Sequence, residues 1–311
     1  MARGPASANR TAYLFLAPFL VLFAVFTVYP LILSAVLAVQ QTHGPGFARF
    51  VGMDNFVALA ADPLFHKAVR NTIVYTLGSM FIQLPLALGL AMLLNQPGLK
   101  GRGFYRLIFF SPQLMGLVFV AMLAALIFEK RSGLLNQALQ GLVGGVLDPE
   151  SAFPWVRVLH DVVWLDFPWL QTFVMPMLIL ISLWMYVGYN MVYFLAALQN
   201  IDKSLVEACA VDGAGPALRF WHVTIPSIRP VASFVVLLSL IGSLQLFELP
   251  YILLDQTGGP QNRGLTIVMY LYQSGFETGD LGYASAIGWV LALMLVALAL
   301  GQIFLMRREE R

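Results

Sequence analysis

Six stretches of this chain run for a bilayer's thickness with no charged side chain. They lie between Arg10 and Arg49, Arg70 and Lys100, Arg106 and Glu129, Asp166 and Asp202, Arg229 and Glu248, and Asp280 and Arg307. A spanning helix needs about 20 mostly apolar residues, with about 18 as a working minimum. The pattern therefore predicts helices over 13–37, 72–94, 107–128, 172–196, 231–254 and 283–306, the fifth reaching full length only by including Glu248. The runs are continuously apolar rather than alternating in ten-residue segments, which argues against a transmembrane barrel. The next longest stretches, 132–147 and 264–276, are too short and too rich in Gly, Gln or Asn to span. The first run is much longer than a signal-peptide core and no small-residue cleavage site follows it. It is expected to stay as a helix, bent near Pro18 or Pro30. Pro85, Pro112, Pro176 and Pro250 fall in spans two to five, where packed neighbours can satisfy the backbone groups that proline frees.

Composition leads to the same class. Of the 311 residues 59% are hydrophobic and 11% charged, and the mean hydropathy is +0.78. A soluble domain carries about 25% charged residues, so a soluble enzyme is excluded. One cysteine, Cys209, makes no intrachain bridge, and a net charge of +2 gives no reason to expect nucleic acid. The chain reads as an all-α polytopic membrane protein with six transmembrane helices. Lysine and arginine favour both termini inside: the inside segments 1–12, 95–106, 197–230 and 307–311 hold eleven basic residues against seven in the longer outside loops. Residues 1–70 make an N-terminal segment with the first span and an outer loop, 71–303 a core, and 304–311 a short inside tail. Outside loop 129–171 carries Glu129, Asp148, Glu150, Asp161 and Asp166 with Trp155, Trp164 and Trp169. It reads either as an interfacial aromatic belt or as a docking surface for a soluble partner.

Catalytic motifs are missing. There is no G-x-x-x-x-G-K-[ST] to hold ATP, and no H-E-x-x-H, C-x-x-C or G-x-S-x-G. The four histidines (His43, His66, His160, His222) fall in predicted loops, far apart, and make no metal site. Glu248 is the only ionisable acid or base within the spans. Proton-driven carriers usually thread several such groups through the membrane, so the driving force is expected from elsewhere.

Inside loop 197–230 is longer than a connection requires, and it carries helix punctuation. Ser204 with Glu207 reads as a capping box. Leu205, Val206, Ala208 and Cys209 supply an apolar surface. Asp212-Gly213-Ala214-Gly215 stops the helix, and Pro216 suits the first position of a second one, which carries Phe220 and Trp221 and is expected to end before Pro226. Such an element can press on a partner, or Glu207 can merely cap its own helix.

Residues 207–230, EACAVDGAGPALRFWHVTIPSIRP, resemble the "EAA" loop of binding-protein-dependent ABC importer permeases. Glu207, Ala208, Asp212, Gly213, Ala214, Phe220, Pro226 and Pro230 fall on its pattern, while Cys209 and Ile225 depart from it with small or apolar character kept. The likeness continues through the Tyr-Pro of span one, the segment 51–56 (VGMDNF), Asn71-Thr72, and segments 133–136, 188–191, 257–260 and 282–286, which are similar to the sugar and glycerol-phosphate branch. The resemblance implies a type I ABC importer fold with a cytoplasmic coupling helix, in a bacterial or archaeal cytoplasmic membrane. Glu207, Ala208, Asp212 and Gly213 would engage a separate ATPase dimer. That dimer binds ATP and Mg, so this chain needs no cofactor. A second homologous permease and an extracytoplasmic sugar-binding protein are the other implied partners, with membrane lipid around them. The implied cargo is carbohydrate, and Tyr186, Asn190 and Tyr193 on span four with Gln245, Glu248 and Tyr251 on span five are candidates to line its path. Each could instead bond a neighbouring helix. The alternatives are a self-contained carrier or channel using Glu248, and a membrane-embedded enzyme for which no catalytic cluster is visible.

Overall fold

The computed structural model describes residues 5–42, 48–96, 98–146 and 167–309. Expected positions 147–166, with Trp155, Trp164, Asp148, Glu150, Asp161 and Asp166, lie outside the described residues, as do His43 and His160. The chain divides into two compact units, one made of 1–65 with 270–297, the other of 66–269 with 298–311.

The first unit starts with α1 (Pro5–Phe23), a π-helical turn over Ala24–Val28, and α2 (Tyr29–Ala38). The helix widens immediately before Pro30, so the irregularity falls there and not at Pro18. A π turn supplies the slack that a missing N–H demands. Side chains from Tyr13 to Leu33 are exposed on every side of this span, as suits a helix whose surroundings are hydrocarbon or another chain. Strands β1 (Gln40–Thr42) and β2 (Ala48–Phe50) pair antiparallel, Gln41 opposite Arg49, a short addition to the all-helical expectation. Next comes α3 (Asp54–Ala61). Its buried Asn55 donates to the carbonyls of Ala38 and Gln40 at 2.9 and 2.8 Å, tying the end of span one to the loop.

Asp62 ties three segments of this unit together. Its carboxylate accepts hydrogen bonds from Tyr270 and Tyr283, the latter at 2.7 Å, and from the Leu64 N–H at 2.8 Å. Burial alone pushes this carboxyl up, but the hydrogen bonds from Tyr270, Tyr283 and the backbone outweigh it and hold Asp62 below the ordinary aspartate value. Burial and the neighbouring carboxylate push the Tyr270 hydroxyl up to about 12. A lowered folded value means that the contribution is present above the ordinary aspartate range and is lost as pH falls through the lowered value. Exchange protection of amides 281–285, corrected for intrinsic rate, should hold from neutral pH to about pH 4 and then fall. In Asp62→Asn it should be weak at every pH. A flat profile in both proteins would show that the cluster contributes nothing to stability.

The second unit holds most of α4 (Pro63–Asn95), then α5 (Arg102–Leu114), α6 (Leu117–Ile127), α7 (Leu134–Val146), a turn α8 (Trp169–Thr172), α9 (Val174–Gln199), α10 (Lys203–Val211), α11 (Pro216–Arg219), α12 (Ile225–Leu244), α13 (Glu248–Leu253) and the start of α14 (Ile267–Tyr272), while α15 (Leu281–Glu309), the last span, belongs to the first unit as far as residue 297. Spans one, two, four and six appear as single long apolar helices, and His66 is in α4 rather than in a loop.

Two expected spans are broken. The third is α5 and α6, bent by 95° at Met115-Gly116, both extended. Pro112 has no N–H for the Ile108 carbonyl, and the Ser111 hydroxyl takes that carbonyl at 3.0 Å. The fifth starts earlier than expected and breaks inside. The chain stays helical from Pro216 through Pro226, because the π turn over Phe220–Thr224, which includes His222, absorbs the proline. Helix α12 then stops at Leu244, and α13 begins at Glu248. The expected i, i+3 face of Gln245, Glu248 and Tyr251 is therefore interrupted.

Packing in this unit uses close approach where the sequence offers small residues. Helix α9 packs on α5 and α12, and α6 packs on α13. Gly188 of α9 meets the α5 backbone directly: a Cβ there would sit 1.8 Å from the Phe109 carbonyl oxygen. Buried Leu178, Ile181, Met185, Val120, Ala124 and Leu249 form one core cluster; Ala87, Ala91, Met191, Phe194 and Ile228 belong to another. Ahead of α9, Asn136 is buried and staples the strand of chain around it, donating to the Lys130 and Phe167 carbonyls at 2.9 and 3.2 Å and accepting from Trp169 Nε1 at 2.6 Å.

Candidate functional site

Span two carries polar residues at helical spacing, Thr72, Tyr75, Thr76, Ser79 and Gln83, all buried. In water such a stripe would face solvent. Inside a membrane unit it must face protein or a polar cavity. The structure supplies the cavity, of about 230 Å³. Tyr75, Ser79 and Gln83 from α4 wall one side. Tyr186, Tyr189 and Asn190 from α9 wall another. Ser239, Gly242, Ser243 and Leu246 close the third, from the end of α12 and its break. Gln83 and Asn190 are buried, yet neither amide has a protein hydrogen-bond partner among the described residues. Two unpaired amides and three phenol rings around one small cavity suit a ligand that offers hydroxyls and C–H faces.

Of the six residues expected along the path, Tyr186 and Asn190 line this cavity. Tyr193 does not; its hydroxyl lies 3.0 Å from that of Tyr189, and its ring packs edge-on to Phe234. Gln245 sits in the helix break and is exposed, the Tyr251 ring lies tilted against Phe247 with centroids 4.9 Å apart, and Glu248 is exposed at the start of α13. The α4 contribution was missed although its signal was present: the spacing of Tyr75, Ser79 and Gln83 puts them on one face.

The connection between spans four and five forms the second candidate feature. Its first helix, α10, is capped by Asp202, whose Oδ1 accepts from the Ser204 N–H at 2.9 Å. The expected Ser204 cap is thus replaced by the residue two places earlier, and these hydrogen bonds lower the Asp202 carboxyl below its ordinary value. The helix ends as expected: Gly213 has φ +75°, and the Ala214 N–H reaches back to the Cys209 carbonyl at 2.9 Å, closing the last turn. No atom lies within 4 Å of where a Gly213 Cβ would be, so the constraint there is backbone conformation and not space. Pro216 then opens α11. Glu207, Ala208, Asp212 and Gly213 are all exposed, and so are Leu205, Val211, Leu218 and Trp221. Val211 keeps 88% of its surface accessible. An apolar set this exposed, on a polar connection with a fixed turn, marks a surface that meets another chain or lipid. Among the described residues no cluster of His, Cys, Asp or Glu could hold a metal ion.

The model of the family described as "binding-protein-dependent transport system inner membrane component" matches residues 85–310. The arabinooligosaccharides transport system permease protein AraP of Bacillus subtilis (strain 168) is 35% identical over 295 residues, covering 94% of this chain and 88% of that protein. The lactose transport system permease protein LacF of Rhizobium radiobacter is 35% identical over 305 residues, covering 96% and 94%. Among solved structures, a chain of a bacterial alginate ABC transporter, crystallised with its alginate pentasaccharide-bound periplasmic protein, superposes with a TM-score of 0.79 at 23% identity, covering 97% of this chain and 96% of that one. That likeness is one of fold.

Proposed function

The chain belongs to the family of binding-protein-dependent transport system inner membrane components, and from that premise we propose that it is one permease half of an ATP-driven carbohydrate importer. A solute-binding protein delivers the sugar from outside. A second homologous permease completes the pathway, and a separate ATPase dimer binds ATP and Mg and supplies the work. Both termini and the α10–Gly213–α11 element face the cytoplasm. The observation that carries this reading is that element, an exposed helix–glycine–helix surface in a chain that aligns nearly end to end with oligosaccharide and lactose permeases.

The mechanism follows from rigidity. Glu207, Ala208, Asp212 and Gly213 seat in the ATPase. Closure of the ATPase dimer pushes on α10 and α11, and α11 continues without interruption through the π turn into α12. That helix carries Ser239, Gly242 and Ser243 of the cavity wall. Motion at the coupling surface is thereby delivered along one continuous helix to the cavity, a rigid element of the kind that can carry coupling between distant sites. Sugar hydroxyls exchange water for the Gln83 and Asn190 amides, with the Tyr186 and Tyr189 rings beside them.

Purification of the tagged chain in mild detergent, with mass spectrometry of what accompanies it, tests this reading. We expect a P-loop ATPase and one homologous permease, both in defined stoichiometry. A chain that purifies alone and transports alone in liposomes would overturn it. Glu248→Ala in the assembled importer is expected to change transport kinetics or sugar selectivity with the ATPase still bound. Unchanged transport kinetics would make Glu248 structural.

A further inference from the structure

Leu246 lies in the break between α12 and α13, so its carbonyl has no helical partner, and Pro250 four residues on has no N–H to offer it. The carbonyl is nevertheless satisfied. Thr266, a fully buried residue far along the chain, donates its hydroxyl to it at 2.7 Å, and the Met269 N–H donates to the same hydroxyl at 3.3 Å. The residues on either side of Thr266 are fixed to span two. The Leu265 carbonyl accepts from Asn71 Nδ2 at 3.0 Å, and that same amide also donates to the Asn262 carbonyl at 2.8 Å. The Ile267 N–H donates to the Thr72 hydroxyl at 3.0 Å, and that hydroxyl donates to the Ala68 carbonyl at 2.8 Å.

Residues 265–267 therefore bridge two walls of the cavity. One end holds α4, which carries Tyr75, Ser79 and Gln83 a few residues further on. The other end holds the helix break at Leu246, itself a cavity-lining residue beside Ser243. We propose that Thr266 is a positioning residue for transport: its hydroxyl holds the broken span at the width that the passing solute requires, with Asn71 and Thr72 as its anchors. The residue touches no substrate. It acts through the Leu246 carbonyl, which without it would be a buried acceptor left unpaired, and the break would shift to bring that carbonyl to the water of the cavity. The inference deepens the permease reading and rests on it for the word transport, but the geometry it asserts can be read without any cargo.

The test uses the complete importer in membranes with Cys209→Ser, so that a reporter Ser239→Cys in the cavity wall is the one cysteine of this chain. Thr266→Val keeps the shape and removes the donor, whereas Thr266→Ser keeps the donor. A membrane-impermeant methanethiosulfonate is expected to label the reporter about fivefold faster in Thr266→Val, and within about twofold of the parent rate in Thr266→Ser. In uptake, with lactose and arabinotriose as probe sugars, Thr266→Val is expected to raise the half-saturating concentration while the maximal rate holds. Equal labelling in Thr266→Val and its parent overturns the proposal, and so does an identical change in the Val and Ser variants, which marks a packing role. Should Thr266→Val fail to reach the membrane, Thr72→Val reads the same tie from its other end, and parent-like labelling there overturns it equally. Shifted labelling without uptake of either probe sugar would leave the positioning role standing and count against the carbohydrate reading alone.

Discussion

Gly213→Pro is expected to abolish ATP-driven uptake while the protein still reaches the membrane. Proline fixes φ near −65°, and Gly213 stands at +75°, so the turn between α10 and α11 cannot form. The loss should exceed about tenfold, since the proposed coupling surface is then present in sequence and wrong in geometry. Two companions separate conformation from bulk. The site has no neighbour within 4 Å, so a larger side chain that tolerates a left-handed backbone is harmless. Gly213→Asn should keep most of the uptake, because asparagine visits that region readily. Gly213→Ala should fall between, with a strain of about 1–2 kcal/mol. Glu207→Ala belongs to the same set: uptake impaired, insertion normal, and ATPase recovered in lower yield. Normal uptake in Gly213→Pro together with Glu207→Ala would remove this loop from any coupling role.

Gly188→Val is expected to be the most damaging single substitution in the membrane core. Helix α9 approaches α5 so closely at this residue that a Cβ would meet the Phe109 carbonyl oxygen at 1.8 Å and its carbon at 2.3 Å. Both are backbone atoms, so no side-chain rotation relieves the clash, and the helices must separate. Overpacking a membrane helix interface of this kind costs about 1–3 kcal/mol or more, and small residues are what allow such approach in lipid. The damage is local to function as well. Gly188 lies between Tyr186 and Asn190, so any shift of α9 moves both cavity residues. Membrane levels of the protein should drop several-fold at growth temperature, and the fraction that inserts should transport poorly. Gly188→Ala should show the same defects in milder form. A Val variant with normal level and normal uptake would mean that α5 and α9 are further apart than 1.8 Å allows.

What the residues alone disclosed, and what they did not, follows the range of the forces involved. Spans one, two, four and six were legible because a long uncharged run has one stable fate in lipid: every backbone group bonded within a helix. The turn at Gly213 and the start at Pro216 were legible because glycine and proline act through their own φ angles. Family membership was legible in the spacing of residues 207–230. The cap of α10 was misplaced by two residues, since Asp202 and Ser204 are both competent caps and only the folded backbone chose between them.

The breaks in spans three and five were decided by tertiary structure. Pro112 and Pro250 announce that a carbonyl is orphaned, but whether the helix bends, widens or stops depends on who satisfies it. In span three a neighbour in the same helix, Ser111, does so, and the chain still turns by 95° three residues later. In span five the donor is Thr266, twenty residues away, which no local pattern could reveal. The cavity is of the same kind. Tyr75, Ser79 and Gln83 could be seen to share a face, as could Tyr186, Asn190 and Tyr193, but the rotation of each helix against its neighbours fixed which of them met. That rotation came from contacts such as Gly188 against Phe109, so the cavity admits Asn190 and leaves Tyr193 against Phe234. The sequence by itself determined that this chain lives in a membrane, how many times its apolar runs can cross, and where its exposed helix–glycine–helix turn lies. Which polar groups face one another inside was set only when the helices packed, because in hydrocarbon a polar side chain is defined by the partner it finds.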